Sequence, residues 1–227
     1  KNNHYLIAHF LVWYLLYLFN KILMKHLNFK ESDRILVLAP HPDDESIGCG
    51  WLLLKHPKQC EVVILTDGRH GWLSWERIED VITKRRTELE QALKYAQIKK
   101  FSFLDIEDGT LSDNYDKFAH LDISKYDAIF SPSPNETHPD HACVYDFLKR
   151  LNTQWKVFWY EVRSTLTSPS HYLDISNIVQ QKQQLINFHA SQTAQLDYAS
   201  RILALNHFRG LLKYPAIEYA EAYQKLQ

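Results

Sequence analysis

The chain has 227 residues, of which 45% are hydrophobic and 23% charged, enough for one α/β domain with a sizeable core and too apolar for a disordered chain. A formal net charge of -1 with no basic stripe removes nucleic acid as a partner, because little would neutralise phosphates. The three cysteines, Cys49, Cys60 and Cys143, are odd in number, far apart and free of CxxC spacing, which excludes a disulfide framework and a thiolate zinc site and leaves a reducing compartment as the expectation.

Taken in chain order, the first segment is Tyr5 to Met24, "YLIAHFLVWYLLYLFNKILM", interrupted only by His9, Asn20 and Lys21 and free of proline and glycine. It reads as a helix, and a cleavable signal is disfavoured because a small-residue cleavage site is missing. Its length and its aromatic residues suit a membrane span, a helix lying in the membrane interface, or a helix packed on protein. Lys21, Lys25 and His26 follow it and favour a cytoplasmic membrane face. A boundary falls near Asn28 to Asp33, dividing the chain into residues 1–30 and a catalytic unit, 31–227.

Beyond the boundary, short β-branched and aliphatic runs alternate with helical periodicity. "RILVLA" (34–39) and "EVVILT" (61–66) read as buried parallel strands, with a helix over 44–55 between them. Ile78, Val81, Ile82, Leu89, Ala92, Leu93 and Ala96 recur at helical spacing. "FSFL" (101–104), "AIFS" (128–131) and "KVFWYEV" (156–162) supply further strands, with helices after His138 and over 176–190. This βαβ rhythm predicts an open, doubly wound, mostly parallel α/β sheet flanked by helices.

In such a sheet ligands bind outside the carboxyl ends of the strands, where two polar clusters fall. "APHPDDE" (39–45) follows the first strand and "NETHPDHAC" (135–143) follows the fourth. Either cluster alone is explained as helix capping or surface loop; together they place a His-Pro-Asp unit at two strand ends. His41, Asp44 and His141 are the expected metal ligands, three donors of mixed His and Asp character that leave a position open, as in catalytic zinc sites. Asp43 is the candidate general base; His138 is the candidate donor to a developing oxyanion or leaving amine, oriented by Asp140. Of the remaining polar residues, "TDGRHGW" (66–72) reads as a substrate loop presenting Arg69, His70 and Trp72, or as an ordinary exposed loop. "KRR" (84–86) reads as a solvated helix face, His189 and Gln192 as structural or site residues, and Cys49 as a small buried residue.

Several of these stretches together resemble the LmbE-like, or PIG-L, zinc-dependent N-acetylglucosaminyl deacetylases. "APHPDDE", "ILTDG" (64–68), "RTELEQAL" (86–93), "FLDIEDGTL" (103–111), "HPDHAC" (138–143), "YEV" (160–162) and "HASQ" (189–192) follow the family's order over about residues 34–192. The resemblance implies a Rossmann-like fold and hydrolysis of an acetamide on an N-acetylglucosamine-type sugar within a glycoconjugate, with zinc or another divalent metal on His41, Asp44 and His141. It also implies a substrate contact from Arg163. Another N-acyl or thiol-conjugated sugar, or sugar binding without catalysis on the same fold, are the alternatives. Two departures stand out. Trp51 follows Gly50 where the family has two adjacent glycines, which points to a reshaped site, and Glu136 stands where some members have a tyrosine. The oligomeric state is not legible.

Overall fold

The computed structural model describes Tyr14 and residues 27–71, 76–151, 157–194, 196–213 and 216–226. Apart from Tyr14, the apolar segment Tyr5 to Met24 lies outside the described residues, and so does Trp72. No helix among the described residues is long and apolar enough to cross a membrane.

Five parallel strands form the main sheet: β1 (Ile35–Ala39), β2 (Cys60–Thr66), β3 (Lys100–Ile106), β4 (Ala128–Pro132) and β5 (Val157–Tyr160). Two further strands, β6 (His171–Asp174) and β7 (Ala220–Lys225), extend it antiparallel, in the order β3-β2-β1-β4-β5-β7-β6. β1 is central, and the order reverses between β1 and β4, the switch point at which such sheets open a crevice.

Every side chain of β1 is buried, which is why its sequence is a continuous apolar run with no alternation. Ile35, Val37 and Ala39 pack on one face with Leu52 and Leu53 of α2 (Gly50–Lys55), Leu89 and Leu93 of α3 (Ile78–Tyr95), Leu185 of α6 (Val179–Asn187) and Ile202 of α8 (Tyr198–Leu212). Leu36 and Leu38 pack on the other with Phe118 of α4 (Tyr115–Ala119) and with Val144 and Phe147 of α5 (Pro139–Arg150). The sheet is therefore doubly wound, as the sequence predicts.

The differences from the sequence reading are local and have physical causes. The helix expected over 44–55 is broken at Cys49 into α1 (Asp44–Gly48) and α2. At the break a Cβ on Gly48 would lie 2.1 Å from Cδ2 of Tyr160, whose hydroxyl donates to the Leu38 carbonyl at 2.8 Å. Trp51 is not among the residues that line the site cavity. It packs against His56 at 4.8 Å between ring centroids, while Gly50 supplies the close approach, to Glu221 and Lys182. β7 is not legible in "AEAYQK" because its second residue is a glutamate; Glu221 is buried by pairing with Lys182 at 2.6 Å, a partner 39 positions away. α8 and the short α7 (Ala190–Thr193) were not read from sequence either.

Gly48→Ala should lower stability by about 1–3 kcal/mol, the usual cost of overpacking, because the ring it meets is anchored on β1. Urea denaturation checks this, and an unchanged midpoint would mean that Tyr160 moves freely.

Candidate metal centre

β1 and β4 are neighbours, so the loops leaving their carboxyl ends meet. The first runs Pro40–Asp43 into α1 and is tied down by Thr66, whose backbone N–H and hydroxyl donate to the Pro40 carbonyl at 2.9 and 2.7 Å. The second reaches α5, where Pro139 occupies the first turn and His138 is the N-cap, its Nδ1 accepting the Asp140 backbone N–H at 3.3 Å.

Three expected ligands converge. Nδ1 of His41 lies 3.2 Å from Nε2 of His141, and Oδ2 of Asp44 lies 3.3 Å from the first and 3.1 Å from the second. Ligand atoms about 2.0–2.1 Å from a tetrahedral zinc are themselves separated by about 3.3 Å, so this donor triangle fits such a metal. His41 also groups with His138 and His141, and with Asp108, His138 and Asp140, in arrangements able to hold a metal ion. All three ligand side chains are buried.

The charges around them demand a cation. Burial would lower the His41 pKa, but hydrogen bonds to Asp108, Asp140 and Asp44 outweigh it and hold it well above the ordinary value. Burial likewise opposes protonation of His141, yet Asp44 pushes it up to about 9. Burial would raise the Asp44 carboxyl, but the two imidazoles hold it well below the usual range. The carboxylates make this pocket one that either protons on the imidazoles or a bound cation would neutralise.

Asp43 occupies a backbone position of φ 155°, ψ -25°, outside the regions that L-residues normally adopt. Glu45 accepts its N–H at 3.1 Å, and Arg85 reaches its carboxylate at 3.2 Å. Arg85 also donates to the carbonyls of Gly68 at 2.7 Å and Pro42 at 3.1 Å. Burial raises the Asp43 pKa and Arg85 opposes it, which suits a carboxylate that must take up a proton. Arg85, only 4% exposed, corrects the reading of "KRR" as a solvated face, which holds for Lys84; Arg86 is half-buried, over the Phe103 ring and paired with Asp105. The burial of Arg85 becomes legible only once helix α3 is known to pack behind the loop.

Asp140 is placed differently from the expectation. Its carboxylate lies 3.9 Å from Nδ1 of His138, too far for a hydrogen bond, and instead faces Nε2 of His41 at 3.2 Å while accepting the N–H groups of Gly109 (2.7 Å) and Leu111 (3.1 Å). Asp108, missed in sequence although it lies in "FLDIEDGTL", joins it at 3.1 Å from the same His41 nitrogen. Two carboxylates therefore orient His41 from behind. The cap leaves the His138 proton on Nε2, and burial with the nearby imidazoles holds this histidine below its ordinary pKa.

These groups line a cavity of about 340 Å³, with His70, Gly71, Ile47, Val162, Arg163, Gln192 and Tyr198 completing its wall. Arg163 is in place, one guanidinium nitrogen 3.3 Å from the Tyr198 hydroxyl. Arg69 does not line the cavity; its guanidinium is held by Asp67 at 2.7 Å and Glu107 at 3.0 Å, a clasp between the loops after β2 and β3. His189 is buried behind the site, 3.0 Å from the Ser46 hydroxyl and 3.4 Å from Glu45. Burial pushes the Cys49 thiol well up, as expected for an inert core cysteine.

A doubly wound α/β fold with a buried His/Asp cluster at its switch point defines a protein able to hold a metal ion beside a further carboxylate. The chain belongs to the PIG-L family, whose model, GlcNAc-PI de-N-acetylase, matches residues 36–152. It is 26% identical over 193 residues to the diacetylchitobiose deacetylase of Thermococcus kodakarensis, an alignment covering 72% of each chain. The fold is similar to that of the N,N'-diacetylchitobiose deacetylase of Pyrococcus horikoshii, with a TM-score of 0.70, 22% identity and coverage of 92% of this chain and 91% of the other. It is also similar to the 4-carboxy-2-hydroxymuconate hydratase of Pseudomonas putida, with a TM-score of 0.67, 20% identity and coverage of 86% and 96%.

Arg85→Met should move the acidic limb of the pH–kcat/KM profile to higher pH. With Asp43 as the expected base acting ionised, Arg85 favours that form, and its loss would raise the pKa through which activity appears. An unmoved limb would separate Arg85 from Asp43.

Proposed function

We propose that this chain is a metal-dependent hydrolase that removes the N-acetyl group of an N-acetylglucosamine-type amino sugar in a glycoconjugate, releasing acetate, with zinc as the metal. The observation that carries this reading is the triangle His41, Asp44 and His141 with the strained Asp43 beside it. The named activity of the Thermococcus kodakarensis relative supports the substrate class. A cavity of about 340 Å³, near the lower end of ligand pockets, suits one sugar unit with its acyl group.

His41, Asp44 and His141 would hold the metal, which supplies Lewis acidity toward a carbonyl and lowers the pKa of water when bound. Asp43 takes the proton of the attacking water and returns it toward the departing amine. His138, neutral and protonated on Nε2, donates a hydrogen bond to the oxygen on which charge develops. Asp108 and Asp140 keep His41 from turning. Arg163 and Tyr198 meet the sugar at the cavity wall, as the resemblance implies for Arg163. Arg69 acts at one remove, by fixing the loop that carries His70 and Gly71.

His41→Ala, Asp44→Ala and His141→Ala should each lose metal by elemental analysis, whereas Asp43→Asn keeps it and loses about 10²–10⁴ in kcat. His138→Ala keeps metal and loses about 10²–10³. Acetate release from free, oligosaccharide-linked, lipid-linked and thiol-linked N-acetylglucosamine reads the effect; loss of metal in all five variants would remove Asp43 and His138 from these roles.

Residues 31–227 are the catalytic unit in this reading, and residues 1–30 associate it with the cytoplasmic face of a membrane. Deleting residues 1–26, which stops short of Leu27 and Phe29 packed on the core, should abolish sedimentation with anionic liposomes and leave turnover of a water-soluble substrate intact. A full-length chain that ignores liposomes overturns the membrane role.

A further inference from the structure

Glu136 lies in the loop between β4 and α5 and is 6% exposed, unusual for a glutamate without a purpose at depth. Its Oε1 accepts three consecutive backbone N–H groups, from Val162 at 3.1 Å, Arg163 at 3.0 Å and Ser164 at 3.0 Å. Its Oε2 faces Nδ1 of His141 at 3.6 Å and takes a longer share, 3.3 Å, of the Arg163 N–H. That nitrogen is buried and has no hydrogen-bond partner.

The orphaned nitrogen is informative because of where the other one points. His141 presents Nε2 to the donor triangle, so as a neutral ligand it carries its proton on Nδ1. Histidines that bind metals donate that second N–H to a carboxylate, carbonyl or water, which fixes the ring and raises its basicity. His41 has Asp108 and Asp140 for this purpose. The carboxylate facing His141 is Glu136, and an approach of about half an ångström brings it within hydrogen-bond range.

We propose that Glu136 is a positioning residue with two working ends: Oε2 orients His141 as a metal ligand, and Oε1 fixes the Val162–Ser164 segment that places Val162 and Arg163 in the cavity wall. One carboxylate thereby ties metal affinity to the shape of the substrate site. The proposal rests on the metal-binding reading above.

Two variants separate the ends. Glu136→Gln keeps a carbonyl oxygen for the three backbone donors but sets an NH₂ group against the Nδ1 proton of His141. Zinc affinity, measured by chelator competition, should fall about 10–100-fold with the melting temperature of the metal-free protein near that of the parent. Glu136→Ala should lose zinc affinity similarly and, with zinc saturating, raise KM more than Glu136→Gln does. If Glu136→Ala fails to fold, Glu136→Asp, one methylene too short to reach both partners, replaces it with the same expected direction. Unchanged zinc affinity in Glu136→Gln, against a parent that binds zinc, overturns the role of Glu136 and leaves the metal site standing. Equal KM in the two variants overturns the division between the two oxygens. A parent protein that binds no zinc overturns the metal site, and this proposal with it.

Discussion

Oδ2 of Asp44 touches both ligand imidazoles within 3.3 Å in a pocket from which most water is removed, and its charge must be balanced there. An isolated buried carboxylate is too costly to keep ionised, so it either takes a proton or acquires a partner. Here Asp108, Asp140 and Glu136 add further negative charge around two imidazoles, which share the positive charge with the Arg85 guanidinium beside Asp43. The loops, caps and buried pairs around the site make sense as the means of holding these like charges together.

The support comes from several parts of the chain. His41 is fixed by residues after β3 and on α5, and Asp43 by Glu45 and by Arg85 of α3. Glu88 on α3 accepts both the backbone and hydroxyl groups of Ser191 at 2.7 and 2.6 Å, joining that helix to α7. The Arg69 clasp joins the loops after β2 and β3. Such second contacts hold catalytic groups to the sub-ångström tolerance that positioned chemistry requires.

The fold alone does not decide the reaction. A hydratase and deacetylases share this architecture at TM-scores of 0.67 and 0.70, because an open α/β sheet offers one crevice that many side-chain sets can occupy. In that crevice this chain pairs a nitrogen-and-oxygen donor triangle with a carboxylate in a forced backbone conformation and a histidine whose tautomer is set by a helix cap.

Local chemistry made much of this legible in the sequence. Apolar runs mark β1, β2, β4 and β5 as strands buried on both faces, β3 at the largely exposed sheet edge shows only the short stretch "FSFL", and proline followed by acidic residues marks the turn into a helix at the two His-Pro-Asp loops. That His41, Asp44 and His141 come together was legible for the same reason, since both polar loops leave the carboxyl ends of neighbouring strands. Contacts set by the tertiary fold were not accessible. Arg85 looks like any helical cation until α3 is packed against the loop, Asp140 is drawn from its neighbour His138 to His41 across 99 positions, and β7 hides its strand character behind a glutamate neutralised by Lys182. A charge reveals its role through its partner, and only the folded chain brings those partners together.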